Sequence, residues 1–158
     1  YNISTEILSK WIVNIDKNFW FENLVLMFQK EVAERIIAEP NTSKYGRLSI
    51  LSNWKLHIKK IIDIKPLSFS PRPKIDSTLL LFTPRENFFK LKEAKNLEMI
   101  TRVFFSQRRK MLKKPFNQIF NDAKAVSEKF NIDLNLRPQN LEPEMYFNLV
   151  KEYESLRS

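Results

Sequence analysis

Near the start of the chain Ile7, Leu8, Trp11, Ile12 and Ile15 recur at helical spacing, and Ser4 or Thr5 stands where a capping residue belongs. Leu24 to Phe28 then form an unbroken apolar run. Such a run predicts a strand covered on both faces, as in a parallel sheet. From Gln29 to Ala38 the apolar residues Val32, Ala33, Ile36 and Ile37 return to helical spacing, and Glu39-Pro40 ends the helix. A second helix is expected from about Ser43 to Ser52. Beyond it Trp54, Leu56, Ile58, Ile62 and Ile64 take even positions, while Lys55, His57, Lys59 and Asp63 take odd ones. That is strand alternation, with Lys60 as the exception. Another strand follows at Thr78 to Phe82.

Helix, strand, helix, helix, strand, strand is the order of the second half of an α/β sheet domain, and its two closing strands predict an antiparallel edge. After Pro84 the pattern is wholly helical. The reading places a linker near 84 to 93, a long helix from about 94 to 114 stopped by Pro115, a short one around 116 to 130, and a last one opening at Pro143. The fold class is therefore α/β followed by all-α.

Composition narrows the chemistry. The chain has one glycine, Gly46, no cysteine and one histidine. These counts exclude a glycine-rich nucleotide loop, thiol catalysis, disulfides, thiolate metal sites and a His cluster within it. Apolar runs are too short for a transmembrane helix, so a soluble, intracellular protein is expected. It begins at Tyr1 without an initiator Met, and is read as a piece of a longer protein.

Charge is distributed unevenly. Lys and Arg number 27 against 18 Asp and Glu, for a net charge of +9. Residues 41–75 carry +7 and residues 101–120 carry +6 with no acid, whereas the stretch between them is neutral. Two such segments fit one surface for a polyanion. A solvated Lys-rich exterior accounts for the charge equally well.

Two stretches hold candidate chemistry. In Phe69-Ser70-Pro71-Arg72-Pro73-Lys74-Ile75-Asp76-Ser77, alternate prolines stiffen the backbone without ladder hydrogen bonds. Phe69 is then able to stack on an unpaired base while Arg72 and Lys74 meet phosphates. A buried Phe69 leading into the strand at Thr78 is the commoner outcome for a phenylalanine. On a helical wheel from Ile100 to Lys114, Ile100, Phe104, Phe105, Met111 and Leu112 share an arc. Arg102, Arg109 and Lys113 lie opposite, flanked by Lys110 and Lys114, as one cationic face for a phosphate backbone. Arg108 falls inside the apolar arc and is expected to snorkel or to pair with a carboxylate of the first unit. His57, between lysines, reads as solvated rather than as a general base, and the Glu31/Glu34 pair as a solvated helix face.

Tyr1-Asn2-Ile3-Ser4-Thr5, Gln29-Lys30-Glu31-Val32-Ala33-Glu34-Arg35, Tyr45-Gly46-Arg47-Leu48-Ser49, the Phe69 to Ser77 segment and Gln107-Arg108-Arg109-Lys110 occur in that order. In these five motifs, spread over about two thirds of the chain, the sequence resembles the C-terminal part of the small-subunit rRNA adenine dimethyltransferase family. The related enzymes that methylate large-subunit rRNA share the Pro-x-Pro-Lys segment but usually lack the Tyr-Gly-Arg-Leu-Ser and Gln-Arg-Arg-Lys forms.

The resemblance implies that residues 1–86 are the C-terminal half of a Rossmann-like methyltransferase domain and 87–158 a helical rRNA-binding domain. It implies transfer of methyl groups from S-adenosylmethionine to N6 of two adjacent adenosines near the 3′ end of small-subunit rRNA. Of the Asn-Leu-Pro-Tyr motif that holds the target adenine, Tyr1 alone is here, and Phe69 becomes the second stacking aromatic, in place of the buried Phe69 read above. Arg47, Arg72, Lys74, Arg102, Arg109, Lys110 and Lys113 are the expected RNA contacts. No cofactor-binding or metal-binding residue is expected in this chain, and S-adenosylmethionine is not expected to bind it alone. The implied partner is the immature small ribosomal subunit, met by a cytoplasmic monomer. The alternative is a non-catalytic, basic RNA-binding or ribosome-assembly module.

Overall fold

A computed structural model describes residues 4–15 and 19–157. Helix α1 spans Ser4–Asn14, strand β1 Leu24–Gln29, α2 Lys30–Ile36, α3 Arg47–Lys55, β2 Leu56–Ile64 and β3 Ser77–Pro84. Helices α4 (Ala94–Ser106), α5 (Lys113–Ile119), α6 (Ala123–Lys129) and α7 (Pro143–Ser155) follow. Short 3-10 turns lie at Pro66–Ser68 and Pro138–Asn140. Ser4 and Thr5 are the first two described residues of α1.

The strands form one sheet in the order β1-β3-β2, antiparallel throughout. Helices α2 and α3 pack on it, burying Phe28, Leu56, Leu80 and Phe82 with Leu8 and Ile12 of α1. The opposite face is not covered by described residues as the Leu24 to Phe28 run predicted: Val25 is 50% and Met27 39% exposed. The run is continuous, but its odd and even residues have different surroundings. Alternation in β2 breaks where the pairing shifts between Lys60 and Ile62, leaving Ile61 without a partner on β3. That bulge reverses which parity faces the helices: Lys60, paired with Leu80, still lies on their side, and beyond the shift Asp63, paired with Thr78, takes that side in place of Ile62.

Three boundaries differ from the sequence reading. Helix α3 starts at Arg47, not Ser43, because the Gly46 N–H donates to Ser49 Oγ at 2.9 Å and the Ser49 hydroxyl donates back to the Gly46 carbonyl. These bonds place the start of α3 at Gly46. Trp54 and Lys55 belong to α3 rather than to a strand, and both are buried. The Lys55 ammonium donates to the Ile15 carbonyl at 2.7 Å and the Val13 carbonyl at 3.3 Å, and lies 4.2 Å from the Trp54 ring centroid. It therefore satisfies carbonyls at the end of α1.

The third difference is the helix expected over 94–114, which ends at Ser106. Tight turns follow, with Gln107 N–H donating to Phe104, Arg108 N–H to Phe105, and Lys110 N–H to Gln107. The N–H groups of Leu112 and Lys113, which a continuous helix would spend on its own preceding turn, go to the carbonyls of Leu136 and Leu134 at 2.8 and 3.1 Å. Pro115 does not stop a helix. It sits in the first turn of α5, where a missing N–H removes no intrahelical bond. The short helix read over 116–130 is two helices, α5 and α6.

A second core lies among the helices, around Leu97, Ile100, Phe104, Phe116, Tyr146 and Leu149. Tyr45, Ile50, Leu51 and Trp54, from the loop before α3 and from α3 itself, are part of it. Helix α3 thus contacts β2 on one side and both α4 and α7 on the other.

Candidate nucleic-acid interface

The Phe69 loop leaves the sheet where Ile64 of β2 pairs with Ser77 of β3. Its first turn is Pro66–Ser68, closed by Ser68 N–H to the Lys65 carbonyl at 3.0 Å, and Phe69 follows at the end of that turn. The Ser70-Pro71 bond is cis. Phe69 is half-buried and belongs to neither hydrophobic core. Its ring is therefore not the buried lead-in to β3 that phenylalanine statistics favour. Arg72 and Lys74 are exposed and form no ion pair with any described residue.

Arg47, the first residue of α3, and Arg102, on α4, line one groove of about 370 Å³ together with Lys95, Glu98 and Tyr153. Arg109, Lys110 and Lys113 line a different depression, of about 610 Å³, with Lys114, Asn117 and Arg137. No carboxylate lines it. The single cationic face expected over 100–114 is thus corrected: the turn at Gln107 sends Arg102 to one groove and Arg109, Lys110 and Lys113 to another. Arg137 was missed because it lies in a tail of net negative charge. Only the turn before Pro138–Asn140 brings it to the Lys113 patch.

All seven expected contact residues, Arg47, Arg72, Lys74, Arg102, Arg109, Lys110 and Lys113, are exposed and unpaired by carboxylates among the described residues. Other lysines are occupied within the protein: Lys30 and Lys60 by Asp63, Lys65 by Asp76, Lys44 by Glu34 and Lys129 by Glu152. An unpaired, hydrated cation meets a phosphate without first breaking an internal bond. Lys59, Lys90, Lys114 and Arg137 share that property, so it marks availability rather than a unique set.

Arg108 joins the two parts, though not through a carboxylate as expected. Its Nε donates to Gln139 Oε1 at 3.1 Å and its NH2 to the Thr42 carbonyl at 3.0 Å. Beside it opens a cleft of about 660 Å³, with walls from α1, α2, α3 and α4. Glu6, Glu31, Arg35, Lys44, Arg47 and Arg108 all line it. Signs are mixed there, which suits a polyanion less than the Lys113 patch does. Tyr1 lies outside the described residues.

His57 is exposed on β2. Residual burial, then Arg85 and Lys59, lowers its pKa, so it is neutral at pH 7, and among the described residues no carboxylate orients it. Glu31 is held by Arg35 at 2.7 Å, an ordinary surface pair. Among the described residues no group of three or more His, Cys, Asp or Glu is placed to hold a metal, and no helix is long and apolar enough to cross a membrane.

The fold and this surface define a class, a mixed α/β protein with a helical extension and unpaired cations around a proline-stiffened aromatic loop. The chain belongs to the ribosomal RNA adenine dimethylase family, whose model matches residues 1–155. It is 80% identical over 99% of its length to Ribosomal RNA small subunit methyltransferase A of Pelagibacter ubique (strain HTCC1062), covering 60% of that protein. The protein of the same name from Wolbachia sp. subsp. Drosophila simulans (strain wRi) is 45% identical over 99% of the chain, which covers 56% of it. A solved dimethyladenosine transferase from Plasmodium falciparum superposes with a TM-score of 0.84 at 26% identity, over 98% of this chain and 64% of that one. The chain therefore spans about 60% of the relatives it matches.

Proposed function

We propose that the protein carrying this chain is an rRNA adenine dimethyltransferase, moving methyl groups from S-adenosylmethionine to N6 of two adjacent adenosines near the 3′ end of small-subunit rRNA. It works on the immature small subunit as a cytoplasmic monomer. Family membership supports the reaction, and one observation supports the role of this segment: Phe69 is carried outside both cores on a stiffened loop whose two cations are unpaired. Stacking on such a ring is worth about 1–3 kcal/mol per base. In this reading Phe69 and Tyr1 sandwich the extruded adenine, while Arg72 and Lys74 hold its flanking phosphates. Arg47 and Arg102, in one groove, and Arg109, Lys110 and Lys113, in the other, hold RNA further away.

The described residues do not fit S-adenosylmethionine. Their single glycine is no cofactor cradle, since a Cβ on Gly46 would meet only ring carbons of Phe105, at 3.7 and 3.8 Å, in ordinary contact. These residues accordingly bind and orient RNA, and residues 1–86 present the base while 87–158 hold the subunit.

The test is methylation of unmodified small subunits by the intact protein and its Phe69→Ala variant, read as dimethyladenosine by mass spectrometry. Loss of product at unchanged subunit binding supports the reading, and wild-type product from Phe69→Ala overturns it. Salt-dependent RNA binding by the intact protein without any methyl transfer would instead establish an assembly module.

A further inference from the structure

The Gln29-Lys30-Glu31 motif contains a residue with no part in the reading above. Lys30 opens α2 where β1 ends, and its backbone N–H donates to the Asp76 carbonyl at 3.0 Å. Its ammonium lies 3.3 Å from Asp63 Oδ2. Asp63 is the next-to-last residue of β2, and Asp76 directly precedes β3. Lys30 thus touches both strands at the point where the Phe69 loop leaves the sheet.

The surroundings make this a closed cluster. Asp63 Oδ1 accepts from the Thr78 hydroxyl at 2.7 Å, and its Oδ2 lies 2.7 Å from the Lys60 ammonium. Asp76 Oδ2 accepts from Lys65 at 2.7 Å, which ties together the two ends of the loop. Ser77 pairs with Gln29 on one side and Ile64 on the other, so all three strands meet beneath it. A single exposed ion pair contributes little. Here, however, the two carboxylates are each only 26% exposed, and Lys30 links α2 to both ends of one short loop. Between those ends Phe69 has no ladder bonds of its own, so the neck and the prolines set where its ring stands.

The geometry points to Lys30 as a positioning residue whose ammonium, through Asp63 at the end of β2, sets the height and angle at which Phe69 meets the target base, while its backbone N–H holds Asp76 at the other end of the loop. This rests on the stacking role proposed for Phe69. A misplacement of about 1 Å at a reacting group costs roughly 100-fold in rate, so a small tilt of the loop is felt in turnover.

The experiment uses the intact protein with two substrates: a small-subunit 3′ hairpin RNA carrying 2-aminopurine at the target adenosine, whose fluorescence is quenched by stacking, and unmodified small subunits, which keep the N6 amine and report kcat and KM. In Lys30→Met the quench falls by half or more and kcat drops roughly tenfold or more, whereas KM stays within about twofold. Lys30→Arg restores the quench. If Lys30→Met does not fold, Asp63→Asn makes the same comparison. A wild-type quench and kcat in the folded variant overturn the positioning role. A wild-type quench in Phe69→Ala would instead overturn the stacking role itself, so the two failures are distinguishable.

Discussion

The Tyr45 hydroxyl donates a 2.7 Å hydrogen bond to the Leu141 carbonyl, across 96 positions of sequence. The ring is fully buried and packs edge-on to Phe105 at 6.1 Å. Burial pushes the phenol far above its ordinary value, so it remains a donor at neutral pH. Tyr45→Phe leaves the Leu141 carbonyl unsatisfied and is expected to cost about 1–3 kcal/mol in urea unfolding with little change in m-value.

Phe104 lies at the centre of the helical core, with Phe116 and Tyr146 rings each 5.5 Å away. Phe104→Ala empties a fully buried site, and about 3–5 kcal/mol of stability should be lost by the same measurement.

Glu154 supplies an acid-sensitive contact. Burial alone would raise its pKa, but the Lys92 N–H at 2.9 Å, the Asn96 amide at 2.9 Å and the Glu93 N–H at 3.0 Å outweigh burial and hold it below 4.5. A carboxyl lowered in the folded state stabilises above its unfolded value, and that contribution fades as pH falls through the folded one. Thermal melts should lose stability on acidification below about pH 4.5. Glu154→Gln should lower Tm at pH 7 and flatten part of that acid limb.

The Lys113 patch predicts a salt signature. RNA affinity of the intact protein should fall linearly on a log–log plot against salt, and each of Arg109→Gln, Lys113→Gln and Arg137→Gln should reduce the slope by about one. Unchanged slopes in all three would remove the patch from the RNA interface.

Much of the local structure was legible from side-chain pattern because helix and strand periods are properties of the backbone itself. Leu8 and Ile12 of α1, the run that became β1 and the proline at the start of α7 appear where the pattern put them, whereas Ile7, read on the same face of α1, is 60% exposed. Lys55 was misread because its odd parity matched a strand, whereas burial against the end of α1 makes it the last residue of a helix. The exposed, unpaired state of the seven expected cations agrees with a reading of charge alone, but their grouping into two grooves does not follow from it.

By itself the sequence determined the alternation of elements, the change from sheet to helix after Pro84, and the family to which the ordered motifs belong. These depend on neighbours a few residues apart and on motif order. Tertiary structure decided where helix α4 ends, because the N–H groups of Leu112 and Lys113 found carbonyls at 134–136 instead of in their own preceding turn. It also decided that Arg137 joins Lys113, and that Lys30 reaches Asp63 and Asp76. Each of those outcomes is a competition between a local partner and a distant one, and no periodicity records a partner that the chain meets only after folding back on itself.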